Sequence, residues 1–258
     1  MTKTINLNAD MGEGWGAYSI GDDDGILKII KSASIACGFH AGDPVTMRHV
    51  VQRAKEEGVS IGAHPGFNDL WGFGRRRIDM RADDLECMIA YQIGALQAMA
   101  NYVGEKVTHL KPHGALNNIA AEQPEIAMAI GRAIKAVDPD IIYVALSGSE
   151  MEKAGRKLNL KVAREGFCDR QYDDDGNLTS RKIPGSVIKD PAVVVKQVVH
   201  MVLNGEIISR NGKPVKHQVD TLCVHADEPT TITTAQAARK GLEGAGVKIV
   251  PLTEMQFE

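Results

Sequence analysis

Short β-rich runs alternate with longer helical patterns along almost the whole chain, and this alternation limits the fold more than any single motif. The β-rich runs fall at residues 4–8, 34–37, 59–63, 107–111, 141–145, 161–164, 220–224 and 248–251. Helical windows lie between them at 25–31, 44–57, 82–103, 124–137, 149–158, 191–204 and 231–245. Within 84–100, Leu85, Met88, Ile89, Ile93, Leu96 and Met99 recur at the spacing of one buried helix face. Near-continuous apolar strands separated by helices imply a parallel sheet covered by helices, because parallel neighbours need a long crossover. Seven or eight such units in 258 residues predict a closed, TIM-like β/α barrel of parallel strands rather than an open doubly wound sheet. One hydrophobic core still suffices at this length, and no linker, repeat or low-complexity tract divides the chain. Residues 1–258 are therefore expected to form a single barrel domain.

The unusual residues fall where these strands end. The first strand runs into Asn8-Ala9-Asp10-Met11-Gly12-Glu13-Gly14 and the second into Ala36-Cys37-Gly38-Phe39-His40-Ala41-Gly42-Asp43. The third leads into Gly62-Ala63-His64-Pro65-Gly66-Phe67, the fourth into Lys111-Pro112-His113-Gly114-Ala115-Leu116, and the seventh into Val224-His225-Ala226-Asp227. In a parallel β/α architecture all these ends share one face, the face on which active sites are found. Taken singly, each residue has a structural reading. Asp10 is a possible turn or cap aspartate, His64 a satisfied core histidine, and Glu13 a solvated carboxylate between glycines. Asp43 before Pro44 reads as a helix N-cap. Residues 21–25 read as a solvated turn capping the next helix, and 173–177 (Asp-Asp-Asp-Gly-Asn) as a hairpin or loop tip. It is the clustering on one face that points to catalysis.

The residue types narrow the chemistry. Asp10, His40 and His64, with His113 as a further donor, suit a divalent metal, although no HExxH spacing occurs. Without a metal the same residues supply a general acid and base, with Lys111 stabilising an oxyanion or holding a carboxylate. Gly72-Phe73-Gly74-Arg75-Arg76-Arg77 offers Arg75 and Arg76 to a phosphate or carboxylate, or is a solvated arginine run. Ser147 follows the fifth strand, placed to donate hydrogen bonds at the site or to cap the next helix. No P-loop and no GxSxG elbow is present.

Charge and composition exclude other classes. A net charge of -3 draws the surface neither to nucleic acid nor to an anionic membrane, and no run approaches the roughly 20 apolar residues of a membrane span. The amino-terminal residues turn acidic where a signal peptide would be apolar. Cys37, Cys87, Cys168 and Cys223 are scattered without CxxC spacing, so reduced thiols in a cytoplasmic protein are expected. Cys37 reads as a small buried residue rather than a nucleophile.

The turns, joined by Tyr91-Gln92-Ile93-Gly94-Ala95-Leu96, resemble the LamB/YcsF family from about residue 5 to residue 243. That resemblance implies a β/α barrel of the glycoside hydrolase/deacetylase type. It also implies the activity characterised for the family, that of the A subunit of the bacterial ATP-dependent 5-oxoprolinase. This enzyme converts 5-oxo-L-proline, ATP and water to L-glutamate, ADP and phosphate. Partner subunits B and C, ATP as co-substrate and magnesium accompanying it are implied in turn. Motif by motif, the resemblance points to Asp10, Glu13, His40, His64, Lys111 and His113 as the polar heart, with Asn8, Arg75, Arg76, Ser147 and His225 as binding residues. Three motifs depart from the family pattern: Asn117 stands for Tyr, Ala226 for Gly, and Gly166 and Cys168 for alanines. Two rival readings remain open from the residues alone: an autonomous metal-dependent deacetylase-type hydrolase, and a non-catalytic subunit that presents the lactam to a partner.

Overall fold

The computed structural model describes residues 3–224 and 231–257. In chain order, β1 (Thr4–Met11) is followed by α1 (Asp23–Leu27), β2 (Ser32–Ala36), α2 (Pro44–Glu56), β3 (Ser60–His64), α3 (Ala82–Asn101), β4 (His109–Leu110), α4 (Gly114–Glu122) and α5 (Pro124–Val137). Then come β5 (Ile142–Leu146), α6 (Glu150–Lys157), β6 (Val162–Phe167), α7 (Pro191–Asn204), β7 (Glu206–Ile208), β8 (Pro214–Lys216), β9 (Thr221–Val224), α8 (Thr231–Gly244) and β10 (Lys248–Ile249). A 3-10 turn at Leu252–Glu254 closes the described chain.

Seven parallel strands, β1-β2-β3-β4-β5-β6-β9, close on themselves when β9 returns to β1, pairing Asn6 with Thr221 through Ala9 with Val224. The β/α barrel expected from the alternation is the fold, with helices around it. The eighth expected strand, β10, stays out of the closure. The carbonyls of Ile5 and Leu7, on one edge of β1, accept from Val250 and Lys31 respectively, so β10 occupies the edge below the point where β2 begins. Two elements went unread in the sequence. Helix α4 lies inside the Lys-Pro-His-Gly turn region, and the β7–β8 hairpin, three residues a strand, sits in a polar stretch before β9.

Alternation explains the layers. Residues i and i+2 of a strand share a face. In β1, Ile5, Leu7, Ala9 and Met11 face outward into the apolar layer beneath the helices, while Asn6, Asn8 and Asp10 face the interior. Helix α3 supplies Leu85, Ile89, Ile93, Leu96 and Ala100 to that layer at three- and four-residue spacing. Asp43 caps α2 as expected, its Oδ1 accepting from the Val45 amide at 2.9 Å, a contact worth about 1 kcal/mol. Asp22 caps α1 through the Gly25 amide, and residues 173–177 form a turn in which the Asp173 amide donates to the Asn177 carbonyl. Under the barrel, Leu252 of the tail packs on Ile142, Val144 and Ala163, closing the amino end. No helix among the described residues is long and apolar enough to cross a membrane.

Candidate active site

The interior opens toward the carboxyl ends of the strands. Asp10 belongs to β1 itself rather than to the turn beyond, so its carboxylate points into the barrel. Lys111, directly after β4, crosses to meet it: Nζ lies 2.8 Å from Asp10 Oδ1, 3.0 Å from Glu165 Oε1 and 3.0 Å from Cys223 Sγ. Its ammonium also stands 5.3 Å above the Phe167 ring. Burial alone would push the Lys111 ammonium down, but the Asp10 and Glu165 carboxylates outweigh it and hold the pKa well above the usual lysine range. For Asp10, burial is likewise outweighed, by His64 and Lys111, and the carboxyl is held well below its ordinary value. Glu165 shifts the other way: burial dominates and raises it. Asn8 ties the second carboxylate down, donating to Glu165 Oε1 at 3.1 Å and to Thr221 Oγ1 at 2.7 Å.

Beside this ion cluster lies a histidine cluster. His64 Nε2 is 3.4 Å from Asp10 Oδ2 and 3.0 Å from His113 Nδ1, and Glu13 Oε1 is 3.1 Å from both His113 Nδ1 and His40 Nε2. The His40 and His113 rings stack with centroids 3.6 Å apart. This close approach demands bare backbone. A Cβ on Gly74, whose φ is +61°, would lie 2.8 Å from both His113 Cδ2 and His40 Cβ. Burial pushes His40 down to about 3, so it is neutral at pH 7. Burial opposes ionisation of Glu13 too, but its contacts with His113 and His40 outweigh it and keep the carboxyl far below its usual range.

Asp10, His64, Lys111 and His113 form the floor of a cavity of about 620 Å³, the size of a small-molecule site. Its rim is cationic: Arg75, Arg170, Arg181 and Lys182, with Asn117 and Leu178 between them. Arg170 is 6% exposed and donates from Nη2 to the Thr179 carbonyl at 2.6 Å, while its Nε has no partner. Phe167 and Leu146 give the cavity an apolar wall.

A sequence pattern for the LamB/YcsF family matches residues 5–257. The chain belongs to the LamB/YcsF family. Other members include the 5-oxoprolinase A subunit 2 of Bradyrhizobium diazoefficiens, 49% identical over 96% of this chain and 98% of that one. The 5-oxoprolinase A subunit from Rhodopseudomonas palustris (strain BisB5) is 50% identical over the same shares. Among solved structures, a lactam utilization protein from Thermus thermophilus superposes with a TM-score of 0.92 at 42% identity, covering 96% of this chain and all of that one. The catalytic domain of a peptidoglycan N-acetylglucosamine deacetylase from Eubacterium rectale, at TM-score 0.53 and 11% identity over 100% of this chain and 92% of that one, shares the fold.

Within this LamB/YcsF chain, Asp10, Glu13, His40, His64, Lys111 and His113 converge, and Asn8 lies just beneath them. Arg75 reaches the cavity. Arg76 instead pairs with Asp69, Nε to Oδ2 at 3.0 Å, and does not line it. Ser147 turns away, donating to the Gln218 carbonyl at 2.7 Å. His225 lies outside the described residues. Cys37 is buried, its thiol pushed up to about 12 by desolvation, as a non-nucleophilic residue should be. Sequence reasoning missed Glu165, Cys223, Arg170, Arg181 and Lys182 as site residues. Glu165 carried a signal: a carboxylate alternating in phase with Ala163 and Phe167 must face a barrel interior.

Proposed function

We propose that this chain is the A subunit of an ATP-dependent 5-oxoprolinase, opening the lactam of 5-oxo-L-proline to L-glutamate with hydrolysis of ATP to ADP and phosphate, in company with subunits B and C. The observation that carries this reading is the likeness to proteins named as 5-oxoprolinase A subunits, 49–50% identical over 96% of the chain. The cavity supports it. A compact lactam fits its volume, and Arg75, Arg170, Arg181 and Lys182 offer several cations to the substrate carboxylate or to phosphate.

The roles follow from which groups are free to act. The Lys111 ammonium has Asp10, Glu165 and Cys223 on its three donor directions, so it orients Asp10 rather than carrying a proton to substrate. His64 Nδ1 faces the Lys111 carbonyl at 2.7 Å and must donate to it, which leaves Nε2 with a lone pair 3.4 Å from Asp10 Oδ2. A water held beside Asp10 gives its proton to that carboxylate as its oxygen adds to the ring carbonyl carbon. The carbon–nitrogen bond then breaks, and the nitrogen takes up a proton. A five-membered lactam is an unactivated amide. Phosphorylation of its oxygen by ATP would make the carbon electrophilic and supply the driving force; ring opening by the first water then leaves a glutamyl acyl phosphate, and a second water releases phosphate from it to give glutamate.

The test is glutamate production from 5-oxoproline and ATP, with and without the partner subunits. Glutamate is expected only from the complete mixture; none from correctly folded partners would overturn the reading. In the assembled complex, Asp10→Asn should lower turnover by about 10²- to 10⁴-fold. A second reading, a hydrolase that needs no ATP, is favoured by the grouping of Glu13 with three histidines. Amide hydrolysis by this chain alone would establish it instead.

A further inference from the structure

We propose that Glu13, His40, His64 and His113 bind a single divalent transition-metal ion on the floor of the cavity. One ligand atom from each of these four buried residues lies within 4.8 Å of all the others. The protonation pattern is set from outside the group. His64 Nδ1 is 2.7 Å from the Lys111 carbonyl and His113 Nε2 is 2.8 Å from the Phe73 carbonyl. A carbonyl oxygen only accepts, so both of those nitrogens carry hydrogen. With those nitrogens turned outward, His64 Nε2 and His113 Nδ1 face inward 3.0 Å apart, each with a lone pair when its ring carries one hydrogen. Glu13 Oε1, an acceptor as well, sits 3.1 Å from His113 Nδ1. Three lone-pair donors facing one another repel unless a positive charge lies among them. Backbone carbonyls that fix the outer nitrogens of inward-turned imidazoles are the usual outer shell of a metal site. His40 completes the group, with Nε2 3.1 Å from Glu13 Oε1 and a buried Nδ1 that has no partner.

The spacings suit an ion rather than a chance crowd. Ligand atoms about 2.0–2.2 Å from one ion lie about 3–3.5 Å from their neighbours. Contacts of 3.0 and 3.1 Å link the four donors in a chain, and Asp10 Oδ2 adds a fifth oxygen 3.4 Å from His64 Nε2. Imidazoles with a carboxylate select a first-row transition ion such as zinc, cobalt or manganese over calcium or magnesium. Access is one-sided. His64 and His113 line the cavity while Glu13 and His40 lie behind them, so the group closes around one hemisphere and leaves the other to substrate or water. An ion bound there would polarise a carbonyl or acidify a water molecule.

This proposal is independent of the 5-oxoprolinase reading, because metal content is measured without turnover. The full chain, stripped with a chelator and reloaded with Zn²⁺ or Co²⁺, is freed of excess ion and its metal determined per chain. About one equivalent is expected, with visible d–d bands for cobalt. Glu13→Gln and His113→Ala should each weaken Zn²⁺ binding by at least the roughly 10- to 100-fold seen when an outer-shell partner is lost, whereas His200→Gln, in α7, leaves it unchanged. Should the variants not fold, X-ray absorption of the zinc-loaded wild type decides: a first shell with two or three imidazoles is expected. Less than about a tenth of an equivalent after loading, undiminished binding in the folded variants, or a first shell without imidazole overturns the proposal and leaves a shared proton as the positive charge.

Discussion

The two halves of the barrel interior are built on opposite principles. The wall made by β1 to β4 is polar: Asn6, Asn8 and Asp10, then Ser32 and Ser34, then Ser60, Gly62 and His64, then His109 with Lys111 beyond it. Several of these side chains hydrogen-bond to one another or to the facing strand. Asn6 donates to Ser32 Oγ at 2.9 Å, the Ser32 and Ser60 hydroxyls pair at 2.7 Å, and Thr221 donates to Asn6 Oδ1 at 2.7 Å. The wall made by β5, β6 and β9 is largely apolar: Ile142, Val144 and Leu146, Ala163 and Phe167, and Cys223, with Glu165 and Thr221 as its polar members. Lys111 is where the two meet, touching Asp10 on one side and Glu165, Cys223 and the face of Phe167 on the other. The contrast shows how a barrel can hold charge in its centre. The hydrogen-bonded wall fixes positions, and the dry wall lowers the local dielectric so that each ion pair acts strongly.

The sharpest way to break this division is to remove the cation at the seam. Lys111→Ala strands two buried carboxylates and should cost about 3–5 kcal/mol in urea unfolding, with loss of turnover in the assembled complex. Combining Lys111→Met with Glu165→Gln should recover much of the stability and none of the activity; no recovery would show that Asp10 alone sets the penalty. On the polar wall, a Cβ on Gly62 would lie 2.1 Å from His109 Nε2, so Gly62→Ala should destabilise by about 3 kcal/mol, and adding His109→Ala should relieve part of that. On the apolar wall, Ile142→Val removes one methylene beside Leu252 and should cost about 1 kcal/mol with turnover unchanged.

The barrel's buried groups also set a pH dependence. Burial pushes His40 and His109 down to about 3 and His217 to about 4, so the unfolded chain takes up protons first as pH falls through the ordinary histidine range near 6.5. Asp23, raised to about 7 by burial, works in the opposite sense and offsets about one of these three groups. Stability should therefore fall by about 3 kcal/mol between about pH 7 and about pH 5, seen as a drop of several degrees in Tm. His217→Gln should roughly halve that slope, and an unchanged slope would place the titration elsewhere.

Much of this was legible beforehand, for reasons that differ from element to element. The outward apolar residues of β1 and the stripe Leu85, Ile89, Ile93, Leu96 on α3 repeat at strand and helix periods, so local pattern reveals them. Asp43-Pro44 announces its helix because cap and proline act within one turn. Helix α4 was hidden because it opens on Gly114 with φ +55° and carries two asparagines, which favour turns. Arg75 and Arg76 are indistinguishable as neighbours in a basic run; only Asp69, seven residues before Arg76, separates them by capturing one. Glu165 joins Lys111 across the barrel, a meeting no local pattern records.

The sequence by itself determined the repeating strand–helix unit, the outward apolar faces and the placing of acidic, histidine and lysine residues at strand ends, because each depends on periods and turns spanning a few residues. Tertiary structure alone decided that seven strands rather than eight close the barrel. It also brought His64 and His113, 49 residues apart, to within 3.0 Å, and made one wall wet and the other dry. Those outcomes depend on strand tilt and on side chains meeting across an enclosed space, where desolvation and lone-pair geometry act between residues the chain itself keeps far apart.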